Sequence, residues 1–412
     1  MERRGRWWRV SLACVVLAGC GSALAAVSSA SGSSRSAAQR CARLARLLPG
    51  VRFAAWHLGA VRFSSGSTGV GLTTSEIGCD HRLPSGGIEV SQHSQVTQLA
   101  TTSDGGRSWL LTGAQVPATV TSGGLRPEQL VATSSSDLWA LVGTGRLVAT
   151  ADTGAHWRVQ PLPGTVSEVQ ASGGSVWALT CVGVRPRAFA CRPQLWRTRT
   201  PGSGWKRIGR LRQTAADPQS IHLALLGGTV IVGVTGVRGR TGSFQLLRSN
   251  NRGSRWQARP VSGHGRPCDD GTALVSDPPV TAWLLCNNGG ALGSSDKSLQ
   301  RTTDGGQTWR LVSSETVTGP ARPGQLQRAQ PAALAAGSAT RLWLSSDNDL
   351  TVSSDSGRRW DQVRSINSQG ALSLSTFDVL DASHAWLLGF DSGLWRTTNG
   401  VRWQQVGPLH LY

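Results

Sequence analysis

An eight-residue pattern, S/T-x-D-x-G-x-x-W, recurs along this chain of 412 residues and constrains its fold more than any other feature. In the copy at residues 302–309, Asp304 is expected to accept hydrogen bonds from backbone N–H groups of its own turn. Glycine supplies the backbone freedom that a tight turn needs. Trp309 then opens the next strand and buries a large ring between packed sheets. The pattern therefore predicts a hairpin turn followed by an anchored strand.

Seven copies of the pattern, which we call the Asp turns, occur at residues 102–109, 150–157, 198–205, 249–256, 302–309, 353–360 and 397–403. Four copies keep both key residues, namely Asp104 and Trp109, Asp152 and Trp157, Asp304 and Trp309, and Asp355 and Trp360. Thr200, Asn251 and Asn399 replace the aspartate in the other three. The closing tryptophans are 43 to 53 residues apart, and a strand repeat of about 40–50 residues is typical of propeller blades. The sequence thus predicts an all-β, seven-bladed β-propeller of four-stranded antiparallel blades (A to D), with the Asp turns between strands C and D.

The predicted loop lengths differ between the two faces of the ring. A–B and C–D turns share one face, which we call the Asp-turn face, and they are short. The long connections all belong to the opposite, long-loop face and are expected at residues 76–94, 181–191, 236–242, 259–272 and 287–298. Functional loops are usually the variable ones, so the long-loop face is the expected binding face. Tryptophans in the predicted B strands, such as Trp139 and Trp283, are interpreted as core packing. Closure of the ring, without strand exchange or with a short strand at 51–56, stays open.

The N-terminus resembles an export signal. Four arginines precede a short apolar run at 10–18, which is too short to span a membrane. The following Leu17-Ala18-Gly19-Cys20 resembles the lipobox of bacterial lipoproteins, which implies a lipid on Cys20. The alternative is an ordinary cleaved signal with a chance cysteine. The predicted division is a signal peptide at 1–19, a lipidated cysteine and flexible Ser/Ala-rich tether at 20–50, and the propeller at 51–412. The expected location is the outer face of the cell membrane.

Cysteine usage agrees with export. Apart from Cys14 in the signal and Cys20, six cysteines remain, and an even number in an exported chain favours disulfides. Their places in the predicted blades favour the pairs Cys41–Cys79, Cys181–Cys191 and Cys268–Cys286. The alternative is a metal site, but no CxxC or HxH spacing occurs, so we expect neither a metal nor a cofactor.

The chain is strongly basic, with a formal net charge of +19, which favours anionic partners. Nucleic acid is not expected, because the protein is predicted to be exported. The candidate residues for binding an anion or an acidic partner lie in the long loops of blades 3 and 4, namely Arg185, Arg187, Arg192, Arg238 and Arg240. The alternative is a solvated blade edge in an arginine-rich chain.

The Asp turns resemble the Asp-box, or BNR-repeat, motif over residues 60–412. Proteins with this motif include sialidases, xyloglucanases, the sortilin ectodomain and the photosystem II assembly-factor family. The last is the most similar, because it has seven blades and turns of the form T-T-D-G-G-x-T-W, like residues 302–309. The resemblance implies the sialidase-superfamily propeller fold but not a function, because the motif is structural.

Sialidase chemistry needs a tyrosine nucleophile with a glutamate, an acid/base aspartate and three arginines. The only tyrosine is Tyr412 at the C-terminus, and no Arg-Ile-Pro signature occurs. A glycosidase still needs two positioned carboxylates. The candidates Asp269, Asp270 and Asp347 are equally well explained as solvated loop residues. We therefore predict a monomeric, non-enzymatic binding or assembly scaffold of the cell envelope, with a protein or an anionic envelope component as partner. The alternatives are a glycan-active hydrolase and a glycan-binding module.

Overall fold

The computed structural model describes residues 55–411 with gaps, the longest of which are 83–87, 118–126, 184–191, 212–217, 317–323 and 367–375. Seven sheets of four consecutive antiparallel strands follow one another along this part of the chain, which contains no helix among the residues described. The innermost strand of each sheet contacts those of both neighbouring sheets, and the last contacts the first. The sheets therefore close into a seven-bladed β-propeller, and the predicted fold class is confirmed.

Each blade runs from an innermost strand A to an outermost strand D. Blade 1 contains β1 (Ala55–Phe63), β2 (Gly69–Arg82), β3 (Ile88–Thr102) and β4 (Ser108–Gln115), and blade 2 contains β5 (Pro127–Ala132), β6 (Leu138–Val142), β7 (Arg146–Thr150) and β8 (Arg158–Val159). Blade 3 contains β9 (Thr165–Ser172), β10 (Ser175–Val182), β11 (Arg192–Thr198) and β12 (Lys206–Arg207), and blade 4 contains β13 (Pro218–Leu226), β14 (Thr229–Arg238), β15 (Thr241–Ser249) and β16 (Gln257–Arg259). Between blades 4 and 5 lies a small hairpin of β17 (Ser262–Gly263) and β18 (Arg266–Pro267). Blades 5 to 7 contain β19 (Asp270–Asp277), β20 (Thr281–Ala291), β21 (Ser294–Thr302), β22 (Arg310–Glu315); β23 (Pro331–Ala336), β24 (Leu342–Ser346), β25 (Leu350–Ser353), β26 (Asp361–Gln362); β27 (Thr376–Val379), β28 (Ala385–Leu388), β29 (Leu394–Thr397), β30 (Trp403–Gln405). A last strand, β31 (His410–Leu411), follows blade 7.

The Asp turns join strands C and D, as the turn in blade 5 illustrates. Oδ1 of Asp304 accepts hydrogen bonds from the backbone N–H groups of Gln307 and Thr308 at 2.9 and 3.0 Å. The hydroxyl of Thr302 donates to the same carboxylate and accepts from the N–H of Gly306, both at 2.8 Å. Burial raises the pKa of Asp304, but the hydrogen bonds outweigh it and lower the pKa from 3.8 to about 2. Equivalent bonds hold the turns of Asp104, Asp152 and Asp355.

Neighbouring blades are clamped together by B-strand tryptophans that reach the Asp turn of the next blade. The acceptor is the backbone carbonyl of the residue after the turn Asp or Asn. This clamp joins Trp283 to Ser356 at 3.2 Å, Trp343 to Gly400 at 2.9 Å and Trp386 to Gly105 at 3.3 Å. In blade 4, Ile231 replaces the tryptophan, and Nε of Arg248 donates to the carbonyl of Gly305 at 2.6 Å instead. Gly306 has a φ of 80°, and a Cβ there would lie 2.6 Å from Ile231, so this contact requires glycine.

A second repeated bond confirms that the A–B and C–D turns share one face. A backbone N–H of the Asp turn donates to a carbonyl of the A–B turn in the same blade. The pairs are Gly105 with Ser67, Thr153 with Ser136, Arg252 with Gly228, Gly305 with Val280, Ser356 with Thr340, and Gly400 with Ser383. Blade 3 has no such bond, although the structure describes both of its turns. Its Asp turn carries Thr200, and the buried indole N–H of Trp139 in blade 2 finds no acceptor within the described chain.

Blades 1 and 7 close the ring without exchanging a strand. The ring of Phe63 stacks on Trp386 with 3.7 Å between centroids. Strand β31 pairs in parallel with the outermost strand of blade 1, through His410 with Ser108 and Leu411 with Trp109. The first described strand of blade 1 begins at Ala55, and residues 51–54 of the alternative seam strand lie outside the described chain. The C-terminal strand therefore covers the outer edge at the seam.

Three of the predicted loops on the long-loop face are largely β-hairpins. The connection expected at 76–94 is taken up by β2 and β3, which are 14 and 15 residues long. In blade 4 the strands continue to Arg238 and resume at Thr241, and in blade 5 they continue to Ala291 and resume at Ser294. The loop prediction is wrong here because the segments lack the apolar alternation of a half-buried strand. Backbone pairing extends them past the length of the shorter blades.

Candidate functional site

A channel of about 920 Å³ lies on the axis of the propeller and is lined by the A strands of all seven blades. This volume falls in the range of ligand sites, about 300–1,000 Å³. The channel is also where the fold brings polar side chains from different blades together. Its lining extends from Pro278, which follows the A strand of blade 5 on the side of the Asp-turn face, to Cys181 near the long-loop end of blade 3.

Side chains of one blade cover the inner edge of the next. An A strand pairs only with its B strand, so its other edge faces the channel. Oε1 of Gln129 accepts from the N–H of Val169 at 2.8 Å. Oε2 of Glu168 accepts from the N–H of Leu223 at 2.9 Å, and Nε2 of Gln170 donates to the carbonyl of the same leucine at 2.6 Å. Gln129 and Glu168 hold equivalent positions, since each pairs with the residue two places after the B-strand tryptophan. We call these contacts the channel staples.

Burial perturbs the pKa of the channel carboxyl group of Glu168. Burial raises its pKa from 4.5 to about 7, and the hydrogen bonds from Leu223 and Gln170 oppose that rise. Gln170 also donates to its Oε1 at 2.6 Å. A carboxyl group that titrates near neutral pH is suited to general acid catalysis. Here, however, both of its oxygens already accept hydrogen bonds, one from Gln170 in the same strand and one from Leu223 in blade 4.

Two further carboxylates line the channel, in blades 7 and 5. Asp378 is 4% exposed and binds Nη1 of Arg62 at 2.8 Å and the N–H of Phe63 at 2.5 Å, so it staples blade 7 to blade 1. Burial raises its pKa, and Arg62 opposes this. Burial also raises the pKa of Asp277, and Arg301 lowers it. Both carboxylates therefore lie beside an arginine.

Of the carboxylates that the sequence offers as glycosidase candidates, Asp270 alone lies among the described residues. Asp270 begins β19, where its charge partly offsets the lowering of the pKa of buried His222 by desolvation. Asp269, Asp347 and Tyr412 lie outside the described residues. Within the described chain, no three His, Cys, Asp or Glu side chains group as metal ligands would, and no helix there is long and apolar enough to cross a membrane. The carboxylates that the fold does bring to the channel are others, Glu168, Asp277 and Asp378.

The predicted arginine site is described in part. Arg192 begins β11 and is exposed, and the backbone of Arg238 ends β14. Both positions are at the B–C end of their blades, so the fold places them on the long-loop face of neighbouring blades. Arg185, Arg187 and Arg240 lie outside the described residues.

Of the predicted disulfides, Cys268–Cys286 is present, with its Cα atoms 5.5 Å apart. It ties the connection between blades 4 and 5 to the B strand of blade 5. Cys181 is also disulfide-bonded, and its predicted partner Cys191 lies outside the described residues. The same holds for Cys41, the side chain of Cys79 and the whole N-terminal region with Cys20.

Lys297 is a structural residue that the sequence does not reveal. Its side chain is fully buried in blade 5, and Nζ donates to the carbonyls of Ser295, Arg328 and Ala329 at 2.8–3.1 Å. Burial lowers its pKa from 10.5 to about 8, and Glu315 opposes this. Lys297 thereby fixes the hairpin of blade 5 to the connection that leads to blade 6. The channel staples are equally hidden, since their partners are 40–55 residues apart and no spacing pattern marks them.

Solved structures with the same fold include two kinds of propeller. YCF48 bound to a D1 peptide is 16% identical, with a TM-score of 0.50 over 85% of this chain and 99% of that one. YCF48 from Cyanidioschyzon merolae is 14% identical, with a TM-score of 0.51 over 85% and 97%. An ancestral GH74 enzyme is 11% identical, with a TM-score of 0.55 over 87% of this chain but only 47% of its own. No protein-family model and no curated protein matches the chain. These similarities show the fold.

Proposed function

We propose that this chain is an exported lipoprotein, anchored to the outer face of the cell membrane through Cys20, that holds a segment of another protein on its long-loop face. It acts as a non-enzymatic scaffold in the assembly or stabilisation of a membrane complex. The observation that carries this proposal is the uneven height of the B–C hairpins around the mouth of the channel.

Three blades have tall hairpins, and three have short ones. The B strands of blades 1, 4 and 5 are 14, 10 and 11 residues long, whereas those of blades 2, 6 and 7 have 5, 5 and 4. At about 3.3 Å per residue, ten residues correspond to roughly 30 Å of extended strand. Among the described residues, the B–C hairpins therefore form a trough that is low at blade 2 and at blades 6 and 7, with taller hairpins on both sides. Such a trough across the channel mouth suits an extended segment of a partner better than a compact ligand.

The basic residues of blades 3 and 4 supply a means of recognition on one side of this trough. Arg192 and the end of the strand at Arg238 belong to that side. In the sequence, Arg185 and Arg187 precede Arg192, and Arg240 follows Arg238. Guanidinium groups bind carboxylates in a two-pronged geometry. A disulfide at Cys181 at the base of the blade 3 loop lowers the cost of ordering several arginines together.

The similarity to YCF48 supports a protein as partner, because that propeller has been seen with a D1 peptide. The photosystem II assembly factors that the chain resembles at its Asp turns point in the same direction. Nothing in the sequence indicates photosynthesis, so the proposal is limited to a protein segment of unspecified origin. The channel carboxylates also favour binding over catalysis, because Glu168 and Asp378 accept backbone N–H groups that hold blades together.

Photo-crosslinking in intact cells tests this function. A photoreactive residue at position 192 on the long-loop face is expected to capture one protein partner, whereas the same residue at the exposed position 358 on the Asp-turn face is not. A second crosslinking experiment places the photoreactive residue at another position on the long-loop face. There, replacing Arg185, Arg187 and Arg192 by Ser is expected to reduce capture of the partner and to make the capture less dependent on salt concentration. Equal capture from positions 192 and 358 would contradict the proposed face.

The second candidate function is a glycan hydrolase, and the pKa of Glu168 near 7 is the observation that favours it. Purified protein incubated with sialosides and β-glucans separates the two functions. Release of sugar that is lost in the Glu168→Gln variant would establish the enzyme. We expect no release from either protein.

Lipidation is tested separately with Cys20→Ala. The variant is expected to leave the membrane fraction or to remain unprocessed, because the modified thiol is missing. Unchanged detergent partitioning together with an unchanged mass would refute the anchor without affecting the binding test.

A further inference from the structure

Six exposed basic side chains form a second basic surface, away from the long-loop face. This basic rim patch lies in the Asp turns of blades 3 and 4 and in the outermost strands of blades 2 and 3, and it consists of Arg158, Arg199, Lys206, Arg207, Arg252 and Arg255. None of the six forms an ion pair with another residue that the structure describes. Nη1 of Arg158 reaches to 3.6 Å from the position that a Cβ on Gly202 would take, so the side chain from blade 2 extends over the turn of blade 3.

All residues of the patch except Arg158 belong to a sector that is almost free of acidic residues. Between Glu168 and Asp269 the sequence contains sixteen arginines and lysines but only one acid, Asp217. The same stretch includes two of the three Asp turns that have lost their aspartate, with Thr200 in blade 3 and Asn251 in blade 4. An aspartate at either position would place a carboxylate among the arginines.

Neutral groups take over the hydrogen bonds of these two turns. In blade 4, Oδ1 of Asn251 accepts from the N–H of Arg255 at 2.9 Å, as the aspartate does elsewhere. In blade 3, the hydroxyl of Ser203 contacts that of Thr198 at 2.7 Å and accepts from the N–H of Thr200 at 3.2 Å. The turns thus keep internal bonds while the negative charge is removed. The substitutions concentrate positive charge in this sector.

We propose that the basic rim patch docks on the anionic phospholipid surface of the membrane. The six side chains spread along the turns and outer strands of three adjacent blades, outside the channel. A fluid lipid surface needs no fixed arrangement of such long, unpaired side chains, whereas a protein partner would have to order each of them. Val159, which is 43% exposed beside Arg158, adds an apolar contact at this edge.

Docking through this edge would orient the propeller. A flexible tether leaves the propeller free to rotate, whereas contact through blades 2 to 4 places the ring on its side. The mouth of the channel and the trough then stand next to the membrane, where a segment of a membrane protein emerges. The patch is separate from the face that carries the proposed function, so partner capture and membrane docking are measured independently.

The test uses the chain from residue 20 with Cys20→Ser, so that no lipid masks the electrostatic contribution. We expect it to sediment with vesicles of phosphatidylglycerol and phosphatidylcholine at low ionic strength, and not with phosphatidylcholine alone. Lys206→Ser/Arg207→Ser is expected to weaken binding about 25-fold, since each basic residue near an anionic surface contributes about fivefold. The matched control, Arg358→Ser/Arg359→Ser, removes two adjacent exposed arginines from the Asp turn of blade 6 and is expected to change binding less than about twofold.

Thr200→Asp tests the same idea without removing a basic residue. The added carboxylate is expected to weaken vesicle binding about fivefold while the unfolding temperature stays the same or rises. Equal loss in the two double variants, or no loss with Thr200→Asp, would overturn the proposal. Binding to soluble polyphosphate as tight as to the vesicles would overturn the assignment to a lipid surface.

Discussion

Blades 5 and 3 occupy equivalent places in the same ring but are held in different ways. Blade 5 has a complete Asp turn around Asp304, and two of its side chains reach blade 6. The indole N–H of Trp283 donates to Ser356, and Nη2 of Arg301 donates to the carbonyl of Ala339 at 3.2 Å. The disulfide of Cys268 and the buried Lys297 fix its connections on either side. Blade 5 is thus joined to its surroundings at the Asp-turn face and at the base of its hairpin.

Blade 3 lacks the aspartate, the bond between its two turns and the clamp from blade 2. It is joined to its neighbours at the channel instead, through Gln129 on one side and Glu168 with Gln170 on the other. The indole N–H of Trp205 also donates to Gln160 of blade 2 at 3.0 Å. A blade can therefore lose its Asp turn when the channel staples take over its attachment. In blade 3 that exchange leaves both turns on the Asp-turn face without an acidic residue.

The largest expected effect is the loss of the extra bracing in blade 5. Cys268→Ser/Cys286→Ser removes a buried bridge between residues 18 apart, which should lower the free energy of unfolding by about 3 kcal/mol. Thermal and urea unfolding of the oxidised protein measure the change. Serine in place of both cysteines leaves the bond at Cys181 intact, whereas a reducing agent would not. An unchanged unfolding temperature would show that Lys297 and the turn suffice to hold blade 5.

The next effect separates the two turns directly. Asp304→Ala removes the acceptor for two turn N–H groups and two hydroxyls, at a cost of about 2 kcal/mol. The matched substitution in blade 3, Thr200→Ala, removes an exposed side chain whose turn is held by Ser203, and should cost less than about 0.5 kcal/mol. Both are measured by urea unfolding at neutral pH. Equal losses would mean that blade 3 depends on its turn as much as blade 5 does.

The parts of this comparison that are visible in the sequence are the local ones. The spacing of turn residues such as Asp304 and Trp309 predicts the hairpin, its place between strands C and D, and the number of blades. The period cannot show that Trp283 reaches across to Ser356, because a repeat describes each blade alone. The staples Gln129 and Glu168 are hidden for the same reason. The tall hairpin of blade 1 is missed because strands that extend beyond the shorter blades do not alternate polar and apolar residues.

A smaller effect tests the clamp between blades. Trp283→Phe keeps an aromatic ring in the core but removes the N–H that donates to Ser356, so it should cost about 1 kcal/mol beyond the change in packing. Trp139→Phe makes the same change where the N–H has no acceptor within the described chain and should cost only the packing term. The difference between the two unfolding free energies is the quantity to compare. A difference near zero would mean that the tryptophans contribute by packing alone.

Glu168→Gln is expected to cause the smallest change in the free energy of unfolding at neutral pH. Gln129 already occupies the equivalent position at the junction of blades 2 and 3. The amide oxygen can still accept the N–H of Leu223, so the staple survives. The pH dependence of stability should nevertheless change. Glu168 releases its proton near pH 4.5 in the unfolded chain but near pH 7 in the folded one, because burial disfavours its charge.

Between these two values the folded protein therefore binds more protons than the unfolded one at this site. It follows that the contribution of Glu168 to stability falls as the pH rises from about 4.5 to 7 and is constant above that. Glu168→Gln should remove this decline. The free energy of unfolding is measured by urea unfolding at about pH 5, 6, 7 and 8. Asp304→Ala serves as a control, since the pKa of Asp304 at about 2 leaves it charged in both states across this range. If the free energy of unfolding changed with pH equally in wild type and Glu168→Gln, protonation of Glu168 would not affect the stability of the junction between blades 3 and 4.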